Sequence, residues 1–350
     1  MSNKVYINSI KQISAQQPLT DEWFEHPAFY SEQYVRAIEP DYKQFFTPNE
    51  ARRFGRILKR ALLVSRQVMA DTGVTLPDAI ITGTGLGCIE STEIFLDKLS
   101  RDGEEFLNPT HFMQSTHNTI GSLIAIDTKC KAYNSTYAHK GISFECALQD
   151  AFLQMQPCRD VMHRVSTALV GAHDEMTPAY FNLLKKAGYL GKPNQTFSGE
   201  TAVAMMLSVK KTEKTWCEIE TVEKIYCDNV ETRLIASFRK LIASLPHDID
   251  FIMTGINGDP ENDRIYFDNC AKLFPNIPLL QYKNIFGEGY TVSAFGVYAA
   301  ATCLKEGKVP EHLRVTSNEL RVTGGKLNKI LCYNHFEKKN HTFVLLSKQS

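Results

Sequence analysis

The nine cysteines include no C-x-x-C pair, and no apolar run approaches the roughly 18 residues of a membrane span. Net charge is missing too, since 39 acidic residues cancel 39 basic ones. Each absence removes a class of protein. Cysteines set in apolar stretches, such as Cys146 in Phe144-Glu145-Cys146-Ala147-Leu148 and Cys303 in Ala300-Ala301-Thr302-Cys303-Leu304, read as buried free thiols of a reducing cytoplasm. A chain without net charge gives no reason to expect nucleic acid or an anionic membrane surface as partner. Nor does it favour a lone monomer, because uncharged proteins associate more readily. Met1 to Ile7 holds no signal-peptide core, so the N-x-S/T triplets at Asn134, Asn194 and Asn340 are chance matches and a cytoplasmic protein is expected. Without low-complexity tracts or short tandem repeats, solenoids and propellers are excluded. Neither a metal nor a cofactor is expected.

What is present is an ordinary globular composition, 43% hydrophobic and 22% charged over 350 residues. That length calls for two domains or one large duplicated core. Short strand-like runs alternate with helix-like ones, the mark of an α/β fold. Strands are expected at 79–82, 167–171, 201–209, 218–222, 249–254, 329–333 and 341–346. The spacing of Phe54, Ile57, Leu58, Ala61, Leu62, Ser65, Val68 and Met69 predicts one helix from Pro48 to about Asp71, opened by a capping box of Thr47 and Glu50. Further helices are expected at 91–99, 119–128, 142–155, 232–244, 260–273 and 290–305. The last carries Gly296 in its interior, at a cost of about 1 kcal/mol against alanine, so close packing against another element is expected there. The polar stretch Lys210 to Thr215 marks a midpoint and divides the chain into halves, 1–209 and 210–350.

Gly83-Thr84-Gly85-Leu86-Gly87 follows a strand as a nucleotide-binding loop would. The spacing is G-x-G-x-G, however, with no G-K-S/T after it and no acidic residue ending a second strand. A tight strand-to-helix turn is the expectation. Gly171-Ala172-His173-Asp174-Glu175 holds metal-ligand residue types, but successive side chains of an extended chain diverge. A polar strand-to-helix loop is expected there.

Four segments carry a resemblance: Arg52-Arg53-Phe54, Ile80 to Gly87, Asn108-Pro109 with Asn118-Thr119-Ile120-Gly121, and Ser198-Gly199-Glu200-Thr201-Ala202. In this order the chain resembles the β-ketoacyl-acyl-carrier-protein synthases over nearly its whole length. The resemblance implies a thiolase-like duplicated α/β fold, layered α-β-α-β-α, with two mixed five-stranded sheets. It breaks down where that family's chemistry is done. The family's nucleophile loop, S-T-A-C-A-S-G, reads Ser135-Thr136-Tyr137-Ala138-His139-Lys140-Gly141, and the methyl group of Ala138 cannot attack a thioester. Two family histidines stabilise the enolate of decarboxylation. The first, in T-H-G-T, is Gly255 after Thr254; the second, in K-x-x-x-G-H, is Glu288, with Lys283 retained. An ionised carboxylate repels a developing enolate. The G-F-G-G gate reads Phe336-Glu337-Lys338-Lys339-Asn340.

This pattern is similar to the chain-length factors of type II polyketide synthases, most of all to ketosynthase-like proteins of aryl-polyene or flexirubin-type pathways. It implies a subunit with no catalytic residue of its own, dimerised with an active ketosynthase and contacting acyl carrier protein. It also implies that Phe112, Met113, Ser115, Thr116 and Thr119 lie at the subunit interface, either limiting the acyl chain or serving as packing alone. The rival reading is a free-standing transferase or hydrolase that reuses the pocket with Glu288 or His139 as base. A displaced pair of His139 and Cys146 is disfavoured, because Cys146 lies among apolar helix neighbours.

Overall fold

The computed structural model describes residues 3–105, 107–157, 165–227, 246, 248–315 and 326–349. The expected helix at 232–244 and Cys158 lie outside the described residues. The strands are β1 (Val5–Ile13), β2 (Ala79–Gly83), β3 (Tyr133–Tyr137), β4 (Thr167–Asp174), β5 (Thr201–Ser208), β6 (Cys217–Tyr226), β7 (Phe251–Thr254), β8 (Leu279–Gln281), β9 (Lys329–Phe336) and β10 (Asn340–Ser347). The helices are α1 (Pro48–Arg53), α2 (Arg56–Thr72), α3 (Ile89–Asp102), α4 (Pro109–Gln114), α5 (Thr119–Thr128), α6 (Ser143–Gln154), α7 (Pro178–Lys186), α8 (Pro260–Leu273), α9 (Lys283–Phe286) and α10 (Ser293–Glu306).

The strands form one sheet in the order β3-β2-β4-β5-β1-β6-β10-β9-β7-β8. Read inward from either edge, the two halves match. Strand β2 runs parallel to β3 and β4, and β4 antiparallel to β5. In the same way β7 runs parallel to β8 and β9, and β9 antiparallel to β10. The expected pair of separate five-stranded sheets is instead one continuous sheet. Its joint is the antiparallel pairing of Val5 with Ile219, Tyr6 with Glu218 and Ile7 with Cys217. The connection after β5 lays the chain directly on β1, where Trp216 N–H donates to the Ile7 carbonyl at 2.8 Å.

Alternation along the strands sends side chains into distinct cores. Ile81, Val170, Met205, Ile219, Cys332 and Val344 face the core built by α6 and α10, which is common to both halves. Ile80, Leu169 and Met206 face α2 and α5, while Ile252, Leu331 and Leu345 face α8. Helix α10 is buried almost throughout, and a side chain at Gly296 would meet the Tyr282 ring at 2.8 Å. That contact supplies the close packing expected of this glycine. No helix among the described residues is long and apolar enough to cross a membrane.

The single helix expected from residue 48 is two. The capping box of Thr47 and Glu50 is present, but Phe54 turns extended and Gly55 becomes the N-cap of α2. Three strands gave no hydrophobic signal. Buried Asn8, Ser9 and Gln12 interrupt the pattern of β1, β3 is a polar edge strand, and β8 is only three residues long.

Glu200 anchors the first half. Fully buried at the start of β5, it accepts from the backbone of Ala37 (2.9 Å) and Met176 (3.1 Å) and pairs with Arg60 of α2 at 3.0 Å. Removing one partner of such a pair leaves an uncompensated charge. Arg60→Leu is expected to lower the unfolding free energy by about 3–5 kcal/mol, measured by urea titration.

Candidate functional site

The site is assembled at the ends of β3, β7, β8 and β9. Ala138 follows β3 directly and is exposed, five residues before α6 begins at Ser143. Between them Lys140 adopts φ +47°, and the turn is held by His139 N–H on Ser143 Oγ (2.7 Å) and by Ser143 Oγ–H on the Lys140 carbonyl (2.8 Å). The Phe336 ring lies against Gly141 so closely that a side chain there would collide with it. His139 is exposed. Cys146 lies inside α6, where burial pushes its thiol up against the opposing pull of Lys224 Nζ, 3.3 Å from the sulfur.

At the end of β7, Gly255 has no room for an imidazole. A Cβ on it would strike the Tyr266 hydroxyl and come within 3.2 Å of Lys283 Cε. Lys283 opens α9 and Glu288 follows it. Lys283 Nζ donates to both Glu288 carboxylate oxygens, at 3.0 and 2.8 Å. Asn257 Nδ2 donates to Oε2 (2.5 Å) and Gly289 N–H to Oε1 (2.9 Å). Both side chains are nearly buried, 6% and 11% exposed, so the pair is shielded from water. Three donors engage the carboxylate through four hydrogen bonds, which leaves it poorly placed to abstract a proton.

A cavity of about 210 Å³ opens beside this pair, lined among others by Lys283, Glu288, Asn257, His335, Tyr290 and Phe336. Its apolar side is the small core of Met176, Leu184 and Leu190. Lys283 and Glu288 thus share one pocket; Ala138, Gly255 and His139 are not among its lining residues. Sequence reasoning overlooked Asn257, Tyr266 and Asn334. Asn257 lies two residues beyond Gly255, and that proximity was the available signal.

The glycine-rich turn is closed by the protein's own acid. Asp174 accepts from Thr84 Oγ1 (2.8 Å), Leu86 N (2.8 Å), Gly85 N (2.9 Å) and Thr291 Oγ1 (2.7 Å). Burial pushes its carboxyl above the ordinary range while these donors pull it down. His173 and Asp174 belong to β4 and are buried, which corrects the loop expected there. The His173 ring folds over Gly171, and burial holds it neutral, down to about 3. No group of three or more metal-ligating side chains is assembled among the described residues.

Phe112 and Met113 are exposed on α4, 57% and 63%, as are Leu96 on α3 and Ile126 on α5. Phe112 also contacts Phe95, with ring centroids 5.3 Å apart. The hydroxyls of Ser115, Thr116 and Thr119 hold the turn between α4 and α5. Ser115 donates to the Phe112 carbonyl (2.7 Å), Thr119 to the Met113 carbonyl (2.9 Å), and Thr116 and Thr119 bond to each other (2.9 Å).

A family model described as the N-terminal domain of β-ketoacyl synthase matches residues 22–244. No curated protein matches the chain. Among solved structures, the ishigamide ketosynthase/chain length factor is similar at 15% identity, TM-score 0.75, covering 100% of both chains. The ketosynthase ApeO in complex with its chain length factor ApeC from Xenorhabdus doucetiae is similar at 14% identity, TM-score 0.76, covering 99% of this chain and 98% of that one. The AntDE:AntF complex, a type II acyl-carrier protein with its ketosynthase bound to the hexaketide, is similar at 12% identity, TM-score 0.79, covering 100% of both chains. At such identities the likeness establishes the fold.

Glu175 supplies a pH test. Its Oε1 accepts from Glu90 N–H at 3.0 Å, at the start of α3, and burial raises its carboxyl from 4.5 to about 7. Between these values the unfolded chain releases this proton and the folded one keeps it, so stability falls as pH rises. The loss is about 3 kcal/mol in total and is complete above pH 7. Glu175→Gln is expected to flatten that slope in denaturant titrations from pH 4.5 to 8.

Proposed function

Because the chain belongs to the β-ketoacyl synthase family, we propose that it is a non-catalytic subunit of the chain-length-factor type. In this reading it pairs with a catalytically complete ketosynthase in the cytoplasm and shapes the partner's acyl tunnel in a type II polyketide pathway, of the aryl-polyene or flexirubin kind. One observation carries the reading: no group at the three matched positions can do condensation chemistry. Ala138 has no nucleophile, Tyr266 fills the space beside Gly255, and Glu288 is negative and tied to Lys283. A decarboxylating site needs donors where this one presents a carboxylate.

The surface supports partnership. Strand β3 ends the sheet order and pairs with β2 alone among the described strands, and an open edge invites another strand. Next to it α5 packs on β3 and carries exposed Ile126, while the packed pair α3 and α4 exposes Leu96, Phe112 and Met113, apolar side chains of the kind found at interfaces. We take Phe112 and Met113 as partner contacts, and Ser115, Thr116 and Thr119 as the turn that presents them. The mirrored strand order supports a division into halves at 209/210. The rival, with Glu288 or His139 as base, gains nothing from the geometry: one is fully engaged and the other lies outside the pocket.

The purified chain, given malonyl-carrier protein and an acyl primer, is expected to release no carbon dioxide and form no ketoacyl product. Ala138→Cys leaves it inactive, because the thiol gains no imidazole; turnover by either form contradicts the proposal. Co-expression with a cysteine-bearing ketosynthase is expected to yield a heterodimer, which Phe112→Asp with Met113→Asp disrupts in size-exclusion chromatography. Ser115→Trp in the heterodimer is expected to shorten the product; unchanged product length leaves this turn as packing alone.

A further inference from the structure

A second cavity, of about 10 Å³, shares Ser293 and Asn334 with the larger pocket and is lined also by Glu145, Tyr282, Tyr333 and Thr342 together with apolar residues. Glu145 belongs to α6 and is almost wholly buried. Its Oε1 accepts from Asn334 Nδ2 (2.8 Å) and from Thr342 Oγ1 (3.0 Å). Among the described residues its Oε2, Tyr282 Oη and Ser293 Oγ make no hydrogen bond of ordinary geometry, although the Ser293 hydroxyl is close enough to the Glu145 carboxyl to pull its pKa down. Three unanswered polar atoms around one void are a rare arrangement in a folded protein, where buried polar groups are paired.

The void has the volume of one water-sized sphere, and a buried water makes about three hydrogen bonds. We propose that this cavity is a binding site for a single internal water molecule, held by Glu145 Oε2, Tyr282 Oη and Ser293 Oγ. Burial pushes the Glu145 carboxyl upward, while its neighbours Asn334, Thr342 and Ser293 pull it down. Of the other lining residues, Met253, Gly296, Val297, Cys332, Tyr333 and Val344, only Tyr333 adds a side-chain oxygen, and that hydroxyl is already bonded to Asn269 and His341.

The site bears on the pocket. Ser293 and Asn334 line both cavities, and Asn334 Nδ2 also donates to the Gly141 carbonyl at 3.1 Å. The water is therefore one link in the contacts that fix the Ala138–Gly141 turn against β9, with Glu145 as a positioning residue. This inference is independent of the partnership proposed above and is tested on the chain alone.

The test is a double-mutant cycle in thermal unfolding. Tyr282→Phe and Ser293→Ala each remove one oxygen and are each expected to lower the midpoint by about 2 °C. Sharing one water, they should together cost less than the sum of the two. A crystal structure of the unmodified protein at high resolution should show a peak within hydrogen-bond distance of all three oxygens. Additive midpoints, or no peak, overturn the proposal. So does a midpoint raised by NaCl or KCl over choline chloride at equal ionic strength, because that identifies a bound cation instead.

Discussion

A carboxylate removed from water must be answered by donors, and Glu288 is answered by three. Lys283 reaches both oxygens, Asn257 and the Gly289 amide complete the set, and the backbone of Glu288 is held on both sides by Phe197 and Gly199. The pocket is organised around this pair. Asn257 is held in turn by Asn262 and by the Asp263 carboxylate on its amide, and the Lys283 stem occupies part of the space next to Gly255. Taking away either charge leaves the other buried and unpaired, so the pair stabilises the pocket and at the same time fixes its electrostatics. A site arranged to hold a negative charge of its own is a poor host for one that develops in a reaction.

Internal acids recur through the molecule in the same capacity. Asp174 fills the cradle of amides in the glycine-rich turn, Glu175 meets the first turn of α3, and Glu200 ties α2 to β5 and to two backbone amides. A glycine-rich turn after a strand can cradle an anionic ligand; here its anion is Asp174, supplied from β4. The glycine spacing and the neighbouring acid thus belong to one structural device.

Much of this was legible in the sequence, and the boundary between what was and was not is physical. Helices α5 and α8 span the expected 119–128 and 260–273, because a helical run of residues is a local signal. Strand β1 was missed because its buried polar residues find tertiary partners, as Ser9 does on Asp71 and Gln12 on the Gln17 carbonyl. The break at Phe54–Gly55 leaves the apolar spacing of a single helix intact, so the spacing does not reveal it. At the site, Ala138 and Glu288 were readable as substitutions in a motif. The roles of Asn257, Tyr266 and Phe336 required the strands to be brought together in space. Joining of the halves into one sheet rests on three residue pairs between β1 and β6, too short a contact for a pattern to reveal.

The central claim is that this chain carries no acyl group of its own. Intact-mass spectrometry of both subunits, after the heterodimer is incubated with an acyl-loaded carrier protein, tests it most directly. The account predicts acyl mass on the cysteine-bearing subunit and an unmodified mass for this chain. An acyl adduct on this chain, retained when the partner's cysteine is replaced by alanine, contradicts it.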